Sequence, residues 1–187
     1  MNKKKDIFIK LLNDPDESIR KCASNSIEKI EIKENINIFE NYIESGSLTQ
    51  KLNAIFALGR LRGSRVLSIL LKAANDPIED VRASAIRVLG EIGDNKILSS
   101  IIEFLNDPSP VVKSVAVEVA GNLKDPRLTD FIILMTQSED HSVVEKSIEA
   151  LGKIGSAKAE ETLIRFTLSG DPVLKRIAVN ALGDLEV

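Results

Sequence analysis

The sequence predicts an all-α chain of six stacked helix–turn–helix units, a right-handed α-α superhelix. The prediction rests on a period, a small-residue column and an apolar stripe. Gly59, Gly90, Gly121, Gly152 and Gly183 recur every 31 residues. Ala54, Ala85, Ala116, Ser147 and Ala178 lie five positions ahead of them, and Leu61, Ile92, Leu123, Ile154 and Leu185 two positions behind. The register runs back to Ala23 and Ile30, with Glu28 where the glycine should be. Six units of 31 residues make 186 of the 187, so the expected organisation is one domain over residues 1–187, with repeats at about 1–32, 33–63, 64–94, 95–125, 126–156 and 157–187. A fixed period of this size is the mark of units that bury their apolar faces only on their neighbours.

Taken in order, repeat 1 opens with a short apolar run, Ile7 to Leu12, interrupted by Lys10. Asp14-Pro15 follows, then a second helix with Ile19 in its core and a polar dilution at Ser24, Asn25, Ser26 and Glu28. Repeat 2 places Phe39 and Tyr42 on its first helix, turns at Ser45-Gly46-Ser47, and carries Ala54, Ala57, Leu58 and Leu61 as the core stripe of its second. In repeat 3, Val66 to Ala74 has helical spacing and Asn75-Asp76-Pro77 ends it, because proline lacks an N–H and disfavours helix in the residue before it. Its second helix, Asp80 to Ile92, aligns Val81, Ala85, Val88, Leu89 and Ile92 on one stripe, and Gly93-Asp94 closes it. Repeat 4 repeats the plan with Phe104, Asp107-Pro108, Val112 and Leu123. Repeat 5 turns at Ser138-Glu139-Asp140 and continues with Val143, Leu151 and Ile154; repeat 6 has Phe166 and a displaced Asp171-Pro172. The small residue at Ala85 and its equivalents allows two helix backbones to approach. Gly90 and its equivalents are expected to do the same against the adjoining repeat, since a helical glycine otherwise costs about 1 kcal/mol relative to alanine.

The composition, 43% hydrophobic and 28% charged, is that of an ordinary folded soluble protein. A single cysteine, Cys22, admits no internal disulfide, which points to a reducing, cytoplasmic setting. The run from Ile7 to Leu12 is too short for a signal peptide or a membrane span. A net charge of −3 argues against a nucleic-acid partner.

The stretch Asp-Pro-x-x-x-Val-Arg-x-x-Ala-x-x-x-Leu-Gly-x-Ile-Gly-Asp, from Asp76 to Asp94, resembles the short HEAT-like repeat of phycobilisome-lyase-type proteins. The resemblance extends over the whole chain. It implies a HEAT-like α-solenoid with first helices on the convex face and second helices on the concave one. It further implies a polar ladder in which Arg82, Arg20, Lys51, Lys113 and Lys175 meet the aspartates of nearby turns, interrupted in repeat 5 by Val144. Two enzymatic relatives of the repeat are disfavoured. Deoxyhypusine hydroxylases hold iron with His-Glu pairs, and this chain has no such dipeptide. HEAT-like DNA glycosylases use a basic groove with aromatic residues, and here there is no tryptophan and one tyrosine.

No catalytic, cofactor or metal site is expected. His141 is the one histidine, in a turn beside Asp140, and a metal site needs further ligands. Cys22 has Arg20 and Lys21 beside it but no histidine nearby in sequence. Phosphate-binding glycine patterns are missing around Gly59 and Gly63. What remains is surface. On the outward face of the second helices lie Leu52, Asn53, Phe56 and Arg60 in repeat 2, Ala83 and Arg87 in repeat 3, Glu118 in repeat 4 and Glu149 in repeat 5. Leu52 and Phe56 form an apolar spot framed by polar groups, the pattern of a binding hot spot. Along this face the amino-terminal half should be positive (Lys21, Lys29, Arg60, Arg87) and the other half slightly negative (Glu118, Glu145, Glu149, Asp184). The expected function is a non-catalytic scaffold for a protein or peptide, without a nucleic-acid or membrane partner. The resemblance also allows an accessory subunit of a bilin lyase or another chromophore-handling protein. Leu174, Ile177, Val179 and Leu182 of repeat 6 have nothing beyond them, which predicts either end-on self-association there or a longer array of repeats.

Overall fold

The computed structural model describes residues 3–185, the side chain of residue 95 excepted. Among the described residues there is no strand, and twelve α-helices follow one another, two to each of the six sequence repeats. Repeat 1 is α1 (Lys3–Leu11) with α2 (Glu17–Glu34), and repeat 2 is α3 (Ile36–Ser45) with α4 (Leu48–Leu58). Repeat 3 is α5 (Ser64–Ala73) with α6 (Glu79–Ile92), and repeat 4 is α7 (Leu98–Phe104) with α8 (Pro110–Leu123). Repeat 5 is α9 (Thr129–Met135) with α10 (His141–Ile154), and repeat 6 is α11 (Glu160–Thr167) with α12 (Pro172–Gly183). Short 3-10 turns at Asn95–Ile97, Pro126–Leu128 and Ala157–Ala159 lead into α7, α9 and α11, themselves 31 residues apart.

The helices gather into two compact units that part after Ala73. In the first, α1 packs on α2, α3 on α4, and α5 on both α3 and α4. Ala23, Ile43, Ala54, Ile55, Leu58, Ile69 and Leu70 are buried there. In the second, α8 lies between α6 and α10, α12 follows on α10, and α7, α9 and α11 each cover the second helix of their own repeat. Its core includes Ile86, Leu89, Ile101, Val112, Val117, Ile132, Ile148 and Leu151.

The small-residue column behaves as its spacing implies: Ala54, Ala85, Ala116, Ser147 and Ala178 are fully enclosed. Ser147 stays satisfied by donating its hydroxyl to the Val143 carbonyl at 2.7 Å. The glycines take the next repeat. A Cβ on Gly90 would lie 2.6 Å from a Val119 methyl, one on Gly121 2.8 Å from the Ala150 Cα, and one on Gly152 2.7 Å from the Ala181 Cα. Each notch is therefore filled by the residue 29 positions later, and a side chain there would force the helices apart.

The turns between paired helices share one local design. Asp14, Asp76, Asp107, Ser138 and Ser169 each accept a hydrogen bond from the N–H two residues on, at 2.8–3.2 Å. That next-but-one residue then becomes the N-cap. Asp16, Ser109, Asp140 and Asp171 accept from the first N–H groups of α2, α8, α10 and α12, satisfying donors that a helix start leaves orphaned. Ser47 caps α4 through a reciprocal box with Gln50.

Several expected positions differ. Ile19, expected in the core, is 39% exposed. Its equivalents Val112, Val143 and Leu174 are buried in repeats that have another repeat in front of them, and among the described residues no helix precedes repeat 1. Ile92 and Leu123 are half-buried, as are Phe39 and Phe166, whereas Phe104 is enclosed. Repeat 6 buries Leu174 and Ile177, leaving Val179 exposed at 55% and Leu182 half-buried. Finally α2 runs 18 residues to Glu34 without a break, where α6 and α10 stop at Gly93 and Gly155 with φ of 68° and 71°.

The equivalent of those two glycines after α8 is Lys124, held left-handed at φ 52°. A side chain pays a steric penalty there that glycine escapes. Lys124→Gly should raise stability by about 0.5–1 kcal/mol in chemical denaturation. An unchanged or lowered midpoint would mean that the lysine offsets its backbone cost by another interaction.

Candidate protein-binding face

On α4 the core stripe turns Ala54, Ile55 and Leu58 inward, which leaves the opposite side to Asn53 and Phe56. Phe56 is 55% exposed, one turn after the half-buried Leu52. Leu48 at the start of the same helix is also exposed, at 40%, while Ala57 is half-buried. Arg60 lies at the end of the same face, but its guanidinium donates to Glu28 of the preceding repeat. It is therefore a tethered, partly neutralised charge rather than a free one, and the expected positive character of this half is reduced. Sequence alone concealed that pairing, because Glu28 stands out only as a missing glycine.

In the second unit the predicted residues take several different environments. Ala83 is half-buried and Arg87 exposed on α6. Glu118 and Glu149, on α8 and α10, are both half-buried. Lys146 donates to Glu149 at 2.9 Å, and its pKa is raised by that bond and by the nearby charges of Glu118 and Glu145. Glu149 thus pairs with this ammonium, and two further carboxylates lie near enough to favour its charged form. Glu149 also borders a shallow cleft of about 220 Å³ between α10 and α12, lined further by Lys153, Arg176, Asn180 and Asp184. Asn180 was missed as a site residue, although it stands one 31-residue step beyond Glu149.

The polar ladder is realised in part. Arg82 grips Asp107 of the next repeat with two parallel bonds, Nε to Oδ2 at 2.8 Å and Nη2 to Oδ1 at 3.0 Å, while Nη1 donates to the carbonyls of Asp76 and Pro77. Both side chains are largely enclosed. Burial pushes the Asp107 carboxyl up, but the Arg82 guanidinium and the Ser109 N–H more than reverse this and hold it below its ordinary value. Arg20 binds carbonyls of its own turn, Asp14 and Pro15. Lys51 is buried, Lys113 half-buried and Lys175 exposed.

At repeat 5 the ladder is interrupted as expected, and a different side chain makes the link to the next repeat. Val144 is buried, and one turn earlier His141 reaches forward to repeat 6. Its Nδ1 lies 2.7 Å from Glu145 Oε1 and its Nε2 2.8 Å from Asp171 Oδ2. Asp171, then Glu145, raise the imidazole pKa, and Asp171 is itself held low by His141 and by the N–H groups of Leu174 and Val173. The turn histidine is thus exposed and also links adjacent repeats. Among the described residues, no cluster of three or more His, Cys, Asp or Glu could hold a metal ion, and no helix is long and apolar enough to cross a membrane.

A family model for HEAT repeats matches residues 36–106 and 98–183. Among solved structures, the chain is similar to the CpcE–CpcF complex of phycocyanin lyase from Nostoc sp. PCC7120, with a TM-score of 0.64 and 23% identity over 80% of this chain. The match spans 64% of that protein's length. It is similar also to a designed armadillo repeat protein in complex with the peptide (KR)4, with a TM-score of 0.59 and 17% identity over 96% of this chain and 98% of that one. An archaeal HEAT-like repeats protein from Thermococcus onnurineus NA1 gives a TM-score of 0.56 and 18% identity over 96% and 86% of the two chains. No curated protein sequence matches. Identities this low establish the fold alone.

Two predictions follow from the electrostatics. Arg82→Ala leaves Asp107 enclosed without its cation and should cost about 2–3 kcal/mol in chemical denaturation, whereas Lys158→Ala, which removes the exposed pair with Asp130, should cost under about 1 kcal/mol. The His141 link is strongest when the ring is protonated. Its contribution is complete below the unfolded pKa of about 6.5 and fades as pH rises through the higher folded value. Melting temperature should therefore decline from pH 6.5 upward in the parent and lose that component of its slope in His141→Gln.

Proposed function

The chain belongs to the HEAT-repeat family, and from that premise we propose that it is a non-catalytic scaffold that binds a protein or peptide on the exposed face of its second helices. Phe56 carries this reading: a large aromatic ring, 55% exposed, beside Leu52 on an otherwise polar face. Aromatic anchors surrounded by polar groups supply most of the energy in protein interfaces. Asn53 and Arg60 adjoin the anchor on α4, and Ala83, Arg87, Glu118 and Glu149 are offered by second helices of the second unit; the six repeats are proposed as a single domain. Solenoids gain binding area by repetition and need no enclosed pocket. The likeness in fold to an armadillo repeat protein that holds a peptide supports a peptide or protein ligand. The exposed end of repeat 6 is a second contact surface, suited to self-association.

An accessory role in chromophore attachment is the second reading, favoured by the likeness to the CpcE–CpcF complex. Titration with a linear tetrapyrrole separates the two: a shifted absorbance band with saturable binding supports chromophore handling, and an unchanged spectrum opposes it.

The scaffold reading is tested by recovering a stoichiometric partner from the native cell and measuring its affinity for variants. Phe56→Ala should weaken binding by ~2 kcal/mol or more with little change in melting temperature, while Ser68→Ala on the exposed side of α5 should bind as the parent does. Arg87→Glu should act mainly on association rate and its salt dependence. Equal affinity of the Phe56 and Ser68 variants would remove this face from the function. A loss of stability in Phe56→Ala would assign the ring to the core.

A further inference from the structure

In the second unit, successive second helices lock by one scheme. Ile86, Val117 and Ile148 are fully enclosed, and Gly90, Gly121 and Gly152 on the same helices admit methyl or backbone atoms of the next repeat. The facing side is apolar too: Val112, Val115 and Val119 on α8 are buried, as are Leu174, Ile177 and Ala181 on α12. The joint between repeats 1 and 2 departs from this scheme on both of its sides. At the positions of Ile86 and Gly90, α2 has Ser24, which is exposed, and Glu28, which is half-buried. At the positions of Val112, Val115 and Val119, α4 has Gln50 and Asn53, both exposed, and the half-buried Ala57.

This joint lies inside one compact unit, with a repeat on either side of it. Little apolar surface leaves water when it closes, so the hydrophobic effect does little to hold it shut. Glu28 also puts a long side chain where a glycine would let two helices meet. Accordingly α2 packs on α1, and α4 on α3 and α5, but α2 and α4 do not pack closely on each other as α8 does on α6 and α10. Two links join the hairpins. Asn35 is the single residue between α2 and α3, and Arg60 donates to Glu28, with both side chains close to half exposed. An ion pair so open to water is weak and is screened by salt. Within repeat 1, Lys5 of α1 pairs with Glu31 of α2 at 2.9 Å, and the two helices pack together as one body.

We propose that this joint is a hinge: the α1–α2 hairpin swings about Asn35 against α3–α5, and the Arg60–Glu28 pair is its latch. Hinges are a few element-terminal residues that absorb a change in φ and ψ, and Asn35 stands at such a place. The swing bears on the binding face proposed above. Lys21, Asn25 and Lys29 hold on α2 the positions that Leu52, Phe56 and Arg60 hold in repeat 2, so opening the joint moves them relative to the Phe56 anchor. That consequence rests on the binding reading, whereas the hinge belongs to the free chain.

Distances between two nitroxide labels on the free protein test it. Cys22, the one cysteine and exposed on α2, takes the first label, and Asn41→Cys on α3 the second. The control is the equivalent pair two repeats further on, Ser84→Cys with Glu103→Cys in a Cys22→Ser background. The first distance distribution should be about twice as wide as the control. Raising salt from about 50 mM to about 1 M should widen it further and leave the control as it was. Glu28→Gln, which removes the latch charge at nearly constant size, should give the high-salt width already at low salt. Ser24→Ile with Glu28→Gly, which restores the pattern of the tight joints on α2, should narrow the distribution toward the control; if that variant loses its helical circular dichroism, Glu28→Gln decides alone. A first distribution as narrow as the control at both salt levels overturns the proposal, as does one that ignores Glu28→Gln. A chain that shows the hinge yet binds no protein through Phe56 would lose the binding reading alone.

Discussion

Close approach of successive second helices at Gly90, Gly121 and Gly152 sets the geometry on which the rest of the carboxy-terminal unit depends. Each glycine admits an atom that no other residue would tolerate at that distance. Once α6, α8, α10 and α12 are brought this near, Ile86, Val117 and Ile148 lose contact with water entirely, and burial of such side chains contributes roughly 1.5–3 kcal/mol each. The helical cost of a glycine is thereby outweighed by the packing it permits. The same approach places the turns of neighbouring repeats within reach of one another, which is why Arg82 can meet Asp107 and His141 can meet Asp171.

The turns answer a different requirement. A helix start carries N–H groups that must find acceptors, and here the acceptor comes from within the turn: an Asp or Ser folds back on the chain, and the next-but-one residue caps the helix. Because local residues satisfy the helix ends, side chains on the outer faces of α4 and α8 are not committed to the fold. The chain separates the residues that build it from those free to make contacts, and Phe56 falls in the second group.

Repeat length, helix pairs and most of the core were legible because a 31-residue period imposes the same environment on equivalent positions. Leu58, Val81, Leu89, Val112, Val143, Leu151 and Ile154 are buried as their stripe predicts. The misses lie where periodicity stops determining surroundings. Ile19 has an interior identity in the first repeat, and exposure there depends on a neighbour that a repeat pattern presumes. The pairing of Arg60 with Glu28 and the reach of His141 to Asp171 depend on long side chains choosing among several acceptors, which spacing does not encode. Within the candidate face, the exposure of Phe56 could be read from helical phase; the crowding of Glu118, Glu145 and Glu149 about Lys146 required coordinates.

The three filled notches are not identical. Gly90 meets the methyl groups of Val119, whereas Gly121 and Gly152 meet the backbone of Ala150 and Ala181. At Gly90 the obstacle to a side chain is another side chain, which a second substitution such as Val119→Ala would trim; at Gly121 and Gly152 it includes main chain, which no second substitution removes. Drift in sequence therefore has a way around the first notch and none around the other two.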